Sequence, residues 1–236
     1  MKKLLLAVFA AIIGLTSIGQ TTIYSEDFEG AFLPAGWGQT TSATDGGWKF
    51  GNSGVQSSQY FTVPTHTNMA GTNDDGCNCD KSNDLLFTDT IDLTGFKGTT
   101  ILKFETFYFG GTYQGATEIA TVEVSTDGGA SFTVEKTLTG AENWYEEVID
   151  LSNYTGNSIV LAFRYNDGGG WLFGWAIDDI EVYQPVALDA ELTENSIPNY
   201  FDIDNAPLSI AGTFTNLGGT TITDIELISK KITITE

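Results

Sequence analysis

Carboxylates cluster at two places far apart in the chain. The segment Tyr24-Ser-Glu-Asp-Phe-Glu-Gly30 sets Asp27 and Glu29 two residues apart, and Trp175-Ala-Ile-Asp-Asp-Ile-Glu-Val182 sets Asp178 beside Asp179. Such clusters repel unless a cation or a basic side chain joins them. In a strand, side chains alternate, so Asp27 and Glu29 are expected on one face with Phe28 turned to the core. By the same rule Asp178 and Asp179 are expected on opposite faces. Calcium takes about six to eight oxygens from carboxylates and carbonyls. The candidate ligands are therefore Asp27, Glu29, Asp178 and Asp179, with Glu29 and one of the two adjacent aspartates as the favoured pair and carbonyls from a loop such as 44–47 completing the shell. Solvated edge carboxylates, or pairing with Arg164 or Lys49, are the plainer alternatives.

A second oxygen-rich stretch is Asn73-Asp-Asp-Gly-Cys-Asn-Cys-Asp-Lys-Ser-Asn-Asp84. Its glycine and acids do not fall at EF-hand positions. Asp74, Asp75 and Asp80 are candidate ligands of a second calcium; a polar turn with unusual backbone angles is the alternative. The stretch also holds the only two cysteines, Cys77 and Cys79. In an oxidising compartment they are expected to form a local disulfide that staples the loop and not the fold. Zinc is a poor alternative, because His66 is the single histidine and typical sites need about four ligands.

A third stretch, Asn166-Asp-Gly-Gly-Gly-Trp-Leu-Phe-Gly-Trp175, sets Trp171, Phe173 and Trp175 behind a glycine run. These are candidate ligand contacts, since flat aromatic rings stack on sugar rings; packing beneath the last strand is the competing reading. Catalytic signatures are missing: His66 sits in a Pro-Thr-His-Thr loop, and neither a His-Glu-x-x-His nor a Gly-x-Ser-x-Gly motif occurs. The expectation is a protein that is not an enzyme.

The elements that must position these residues read as short strands. Thr100 to Phe109, Ile119 to Ser125 and Ser158 to Asn166 alternate apolar and polar side chains, and Phe132 to Leu138 and Trp144 to Leu151 add two more runs. About ten strands separated by Gly, Asn and Asp turns argue for an all-β sandwich. Trp37, Trp48, Phe50, Phe104, Phe107, Phe163, Trp171 and Trp175 are candidate core residues. Asp127-Gly-Gly129 reads as a hairpin turn without a ligand role. Residues 1–20 read as a signal peptide: Lys2 and Lys3, an apolar run from Leu4 to Leu15, then a small-residue cleavage site. That run is shorter than the roughly 20 residues a membrane span needs, so membrane insertion is not expected. Residues 21–184 form the main domain. After Gln184-Pro185, residues 185–236 read as an immunoglobulin-like segment that is incomplete, since such a domain needs about 100 residues. The chain stops at Ile234-Thr-Glu236 within a strand-like run, which suggests truncation and a partial sheet with an unpaired edge.

The formal net charge is −21, and removal of Lys2 and Lys3 takes it to −23. Without a basic patch to neutralise phosphates, nucleic acid is an unsuitable partner.

Taken in order, Asp27-Phe-Glu-Gly30, Leu33-Pro-Ala-Gly-Trp37, Gly47-Trp-Lys-Phe-Gly51, Asp84-Leu-Leu-Phe-Thr-Asp-Thr-Ile-Asp-Leu93, Val124-Ser-Thr-Asp-Gly-Gly-Ala-Ser-Phe132 and Ile177-Asp-Asp-Ile-Glu-Val182 resemble the cleaved-adhesin, or choice-of-anchor J, domains of secreted and surface proteins of Bacteroidetes. Asp89 and Thr90 stand where that pattern usually has prolines. The resemblance covers 22–184 and implies a jelly roll similar to MAM and carbohydrate-binding domains, usually with bound calcium. It further implies adhesion to an extracellular glycan or protein, or service as an accessory domain of a larger secreted protein or hydrolase. Members often carry a C-terminal sorting domain for type IX secretion, which this chain does not show.

Overall fold

The computed structural model describes residues 20–186, 190–195, 212–216, 218–220 and 222–223. The signal-peptide reading therefore lies outside the described residues, as does most of the immunoglobulin-like reading. One compact unit spans Thr21–Gln184.

Within that unit the chain runs β1 (Thr21–Glu26), β2 (Gly38–Thr40), β3 (Lys49–Gly51), a single helical turn α1 (Ser53–Gln56), β4 (Met69–Asn73), a second turn α2 (Asp74–Cys77), β5 (Asp84–Phe87), β6 (Ile91–Asp92) and β7 (Ile101–Tyr108). It continues through β8 (Thr112–Tyr113), β9 (Ala116–Thr117), β10 (Ile119–Ser125), β11 (Thr133–Thr137), β12 (Tyr145–Asp150), β13 (Ser158–Asn166) and β14 (Gly174–Gln184). The excess over the ten or so strands expected consists of pairings two or three residues long.

Two antiparallel sheets form the sandwich. The first has the order β12-β7-β14-β4-β3 with β1 also on β14; the second has β11-β10-β13-β5-β2 with β6 also on β13. The first and last strands of the unit are thus neighbours, Thr21 opposite Gln184 and Glu26 opposite Ile180. The long strand β14 pairs with β7 on one side and divides its other side between β4, along Gly174–Ile177, and β1, along Ile180–Gln184. The division falls at Asp178 and Asp179.

The alternation read in the sequence decides which faces meet. Leu102, Phe104 and Tyr108 of β7, Val122 and Val124 of β10, Leu161, Phe163 and Tyr165 of β13, and Trp175, Ile177, Ile180 and Val182 of β14 bury their side chains between the sheets. Trp37 lies parallel to Phe163 at 6.5 Å, Phe104 meets Phe163 edge-on at 5.4 Å, and Trp48 meets Trp175 edge-on at 5.4 Å. Each such ring contributes about 2–3 kcal/mol by burial. A second, smaller cluster of Phe61, Val63, Met69, Phe107 and Ala176 covers the other face of the first sheet. It anchors the segment 57–68, which delivers His66, Thr67 and Asn68 to β14. Of the candidate core residues, Trp171 is the exception: it is 46% exposed.

In the second unit, β15 (Ala190–Asn195) pairs with β16 (Gly212–Asn216) as an antiparallel hairpin. The Gly219 amide also donates to the Val186 carbonyl at 2.8 Å.

Candidate functional site

The division of β14 is made by a bulge. Pairing with β7 jumps from Asp178 opposite Glu105 to Glu181 opposite Lys103, so β14 carries one extra residue. Asp179 takes it up at φ +48°, a left-handed conformation that Asp tolerates better than most residues. Ile177 and Ile180 can then both face the core. The expectation that Asp178 and Asp179 point to opposite faces is corrected by this geometry. Carboxylate oxygens of both lie within 4.8 Å of each other and of a ring nitrogen of His66.

Asp178 is fully buried. Its Oδ2 accepts from Thr67 Oγ1 at 2.9 Å and lies 2.7 Å from His66 Nδ1, while its Oδ1 accepts the Asp179 amide at 2.8 Å. Burial, the largest cause, pushes its carboxyl up to about 6. The His66 ring packs at a tilt 4.4 Å from that of Trp144, whose Nε1 donates to the Pro64 carbonyl at 3.1 Å. Asn68 next along the chain donates from its amide to Glu29 Oε1 at 3.1 Å and from Nδ2 to Glu29 Oε2 at 3.3 Å. Three consecutive residues therefore touch Asp178 on one side and Glu29 on the other.

Asp27 and Glu29 do not lie on a strand, which corrects a second expectation. β1 ends at Glu26, and Phe28 turns at φ +50° while still filling the core. The turn is held by Glu26 Oε1 accepting the Phe28 amide at 2.8 Å. Asp27 and Asp179 both line a groove of about 430 Å³ that is acidic along its length, with Glu26, Glu105, Glu146 and Glu181 beside them and Lys103 paired to Glu181 at 3.0 Å. Arg164 and Lys49 are engaged elsewhere, with Glu123 at 2.7 Å and Asp45 at 3.1 Å. Among the described residues, no Lys or Arg pairs with Asp27, Glu29, Asp178 or Asp179. Asp178, Asp179 and His66 converge closely enough to share an ion, two hard oxygen donors and one softer nitrogen, whereas Asp27 and Glu29 do not join that group.

The second oxygen-rich stretch behaves differently. In the turn α2, successive side chains point about 100° apart, so Asp74 and Asp75 diverge. Asp74 faces inward; its Oδ2 accepts the Leu172 amide at 2.6 Å, and its Oδ1 is buried without a hydrogen bond. Asp75 faces the 57–61 loop, where its Oδ2 accepts the amides of Tyr60 at 2.8 Å and Phe61 at 3.4 Å. Asp80 is exposed and accepts the amide of Ser82 at 3.1 Å. Asp74, Asp75 and Asp80, each a candidate ligand in a second calcium loop, therefore face different surroundings. Cys77 and Cys79 are joined by a disulfide across Asn78, whose φ is +47°.

Of the three aromatic candidates, Trp175 is in the core, its Nε1 donating to Thr106 Oγ1 at 2.8 Å, and so cannot contact a ligand. Phe173 packs edge-on against Phe109 at 5.2 Å. Trp171 alone presents a largely open ring, with Nε1 donating to the Asp75 carbonyl at 3.0 Å.

Sequence reasoning missed the groups that organise this end of the sandwich. Buried Glu118 accepts the amides of Gly111 at 2.9 Å and of Phe173 and Gly174 at 3.2 Å, and the Tyr165 hydroxyl at 2.7 Å. Buried Asp167 accepts the amides of Lys81 at 2.9 Å and Gly169 at 2.7 Å. Lys81 is itself buried between Asp45 at 2.9 Å and Asp84 at 3.1 Å. No local motif marks these residues, because each has a partner far away in the sequence: Phe173 and Gly174 for Glu118, the Lys81 amide for Asp167, and Asp45 for the Lys81 ammonium. Asp127, by contrast, holds the amide and hydroxyl of Ser131 at 2.9 and 2.6 Å in the turn its motif indicates.

The molecule is an antiparallel two-sheet sandwich of the jelly-roll class, with an acid-lined closure where its first and last strands meet. Among solved structures, it is similar to the K3 cleaved adhesin domain of Lys-gingipain from Porphyromonas gingivalis, at 18% identity over 70% of this chain and 99% of that one, with a TM-score of 0.50. The K1 domain of the same protein matches at 22% identity over 67% and 96%, with a TM-score of 0.49. A xylan-binding domain from Paenibacillus barcinonensis matches at 14% identity over 70% and 95%, with a TM-score of 0.41. No family model and no curated protein matches the chain. The fold implied by the sequence motifs is thus the fold observed. Among the described residues, no helix is long and apolar enough to cross a membrane.

Proposed function

We propose that the chain is an exported, adhesin-like binding module, closed by calcium, that engages an extracellular glycan or protein through the loops at one end of its sandwich. The observation that carries the binding reading is the construction of that end. Segments 57–61, 74–81, 111–117 and 167–173 are tied to one another through the carboxylates of Asp74, Asp75, Glu118 and Asp167, each accepting backbone amides. A surface of loops fixed in this way loses little entropy on binding. We assign calcium to the closure, with Glu29 and Asp179 or Asp178 as its ligands; among the described residues no Lys or Arg pairs with these carboxylates. The metal would hold β1 against the bulge of β14. His66 is engaged by Asp178 and Trp144, and we read that dyad as structural and the module as non-catalytic.

The test uses the full chain, with and without calcium, against a glycan array and a panel of immobilised extracellular-matrix proteins. Reproducible binding of the calcium-loaded protein to any of these is the expected result. Silence across both panels from folded, calcium-loaded protein overturns the binding reading and leaves a spacer domain of a larger secreted protein.

A further inference from the structure

Two exposed aromatic side chains hang from one residue at the loop end. Asp75 accepts the Trp171 indole N–H on its backbone carbonyl at 3.0 Å and the Tyr60 amide on its carboxylate at 2.8 Å. Trp171 is nevertheless 46% exposed and Tyr60 62% exposed. Elsewhere in the unit the large aromatic residues go mostly to the core, whereas the Trp171 ring is bonded through its indole nitrogen and Tyr60 is fixed through its backbone. Their support is stiff. The carboxylate of Asp75 fastens the 58–61 loop, the disulfide between Cys77 and Cys79 closes the turn behind it, and the Asp74 and Asp75 amides both donate to the Phe173 carbonyl, at 2.9 and 3.1 Å.

Polar groups accompany the two aromatic residues. The hydrogen bonds from Ser58, Tyr60 and Phe61 to the Asp75 carboxylate all fall on Oδ2, which leaves Oδ1 for an incoming donor. The Gln59 amide lies next to the Tyr60 hydroxyl at 3.1 Å. A third exposed ring, Tyr113, stands on the β8–β9 hairpin, which packs on the Trp171 loop: a Cβ on Gly170 would meet the Ala116 Cβ at 2.4 Å, and one on Gly111 would meet the Phe173 ring at the same distance. Flat aromatic faces edged by a carboxylate oxygen and amides match the C–H face and hydroxyl rim of a pyranose ring. Asp75 bonds both the Trp171 indole and the Tyr60 amide, a polar neighbour unlike the apolar centre that anchors a protein partner.

The charge of the region selects the kind of glycan. Lys81, the nearby base in the 74–81 segment, is buried against Asp45 and Asp84. Arg164 is bonded to Glu123 and Asn83. Sulfated, sialylated or uronic-acid chains would meet Asp75 and Asp80 without a partner for their own charge.

We propose that Trp171 and Tyr60, framed by Asp75, form a stacking site for the rings of an uncharged polysaccharide. This rests on the binding-module reading and deepens it by naming the ligand class and the residues. The experiment is native gel electrophoresis of the full chain through gels containing xylan, β-1,4-galactan, galactomannan or mixed-linkage β-glucan, with polygalacturonate and heparin as anionic comparisons. At least one neutral polymer is expected to retard the protein and the anionic ones not. Trp171→Ala is expected to weaken retardation at least tenfold, Tyr60→Ala several-fold, and Trp171→Phe much less than Trp171→Ala. Phe32→Ala, which removes an exposed ring from another loop, is expected to change nothing. Thermal melts check that each variant is folded. Retardation by a neutral polymer that survives both alanine variants overturns the site. Retardation by anionic polymers alone overturns the ligand class. If no polysaccharide is bound while a matrix protein is, the inference falls and the binding module stands; silence in both assays removes both.

Discussion

Asp74 is a buried carboxylate with one oxygen, Oδ2, on the Leu172 amide and the other without a partner. An unsatisfied buried acceptor is costly, more so when charged. The groups facing it are Asp167 and Glu118, which raise its proton affinity, and Lys81, which lowers it; burial dominates and pushes the carboxyl up to about 6. An unfolded chain would release that proton near pH 3.9. Between those two values the native state binds more protons than the unfolded state, so stability falls as pH rises through the window and is greatest below it. Glu118 is shifted in the same direction, burial again being the main cause. Asp74→Asn should therefore melt higher than the unmodified protein at pH 7.5, by up to about 3 kcal/mol, and the two should converge near pH 4. An equal offset at both pH values would show that charge at Asp74 is not the cause. The acids around β14 stood out in the sequence because they are adjacent in it. Asp74 stood out as well, but for the wrong reason, since its role depends on an amide 98 residues away. Glu118, Asp167 and Lys81 were illegible for the same reason, as nothing in a local window shows that a charged side chain is buried.

At the scale of elements, alternation made most of the sandwich legible. The faces of β7, β10 and β13 follow the period-two pattern, and Trp175 enters the core with them; Phe28 reaches the core too, but from a turn beyond β1. What alternation could not show is the extra residue at Asp179. A bulge breaks the period once, and its effect is to turn two adjacent aspartates from opposite faces into one cluster with His66. The bulge also separates the structural role of that residue from its proposed role as a calcium ligand. Asp179→Gly keeps the left-handed conformation and should fold with stability close to the unmodified protein without calcium, while losing most of its calcium affinity. Asp179→Val places a β-branched residue at φ +48° and should cost about 1–2 kcal/mol even without metal. Chemical denaturation with and without calcium distinguishes the two, and equal losses in both variants without metal would remove the bulge from the argument. The turn α2 offers a parallel case. Its disulfide closes a loop of three residues, too short to restrict the unfolded chain much. Reduction, followed by thiol labelling, should therefore shift the melting midpoint by no more than about 2–3 °C for a sandwich of this size. A shift several times larger would mean that the turn supports the fold and not only the loop end.

At the scale of the molecule, a net charge of −21 sets carboxylate repulsion against every contact between the sheets. Part of it is diffuse and screened by any salt, with a Debye length of about 8 Å at physiological ionic strength. Part is local, in the groove where Glu26, Asp27, Glu105, Glu146, Asp179 and Glu181 converge beside Lys103. The two parts respond differently to cations. Sodium chloride should raise the melting midpoint gradually, with no preferred site. Calcium chloride at matched ionic strength should add a saturable increment; at a free concentration of about 100 times the dissociation constant this is about 2.7 kcal/mol, or roughly 5–10 °C. Chelation should return the midpoint to the sodium value. Asp178→Asn removes a buried carboxylate from the closure and leaves the rest of the surface charge in place. It should keep the sodium response and lose the calcium increment, whatever its own starting stability. If calcium and sodium act alike at equal ionic strength, or if Asp178→Asn retains the full increment, then the first and last strands are held by their backbone ladder and the hydrogen bonds of His66, Thr67 and Asn68 without a metal.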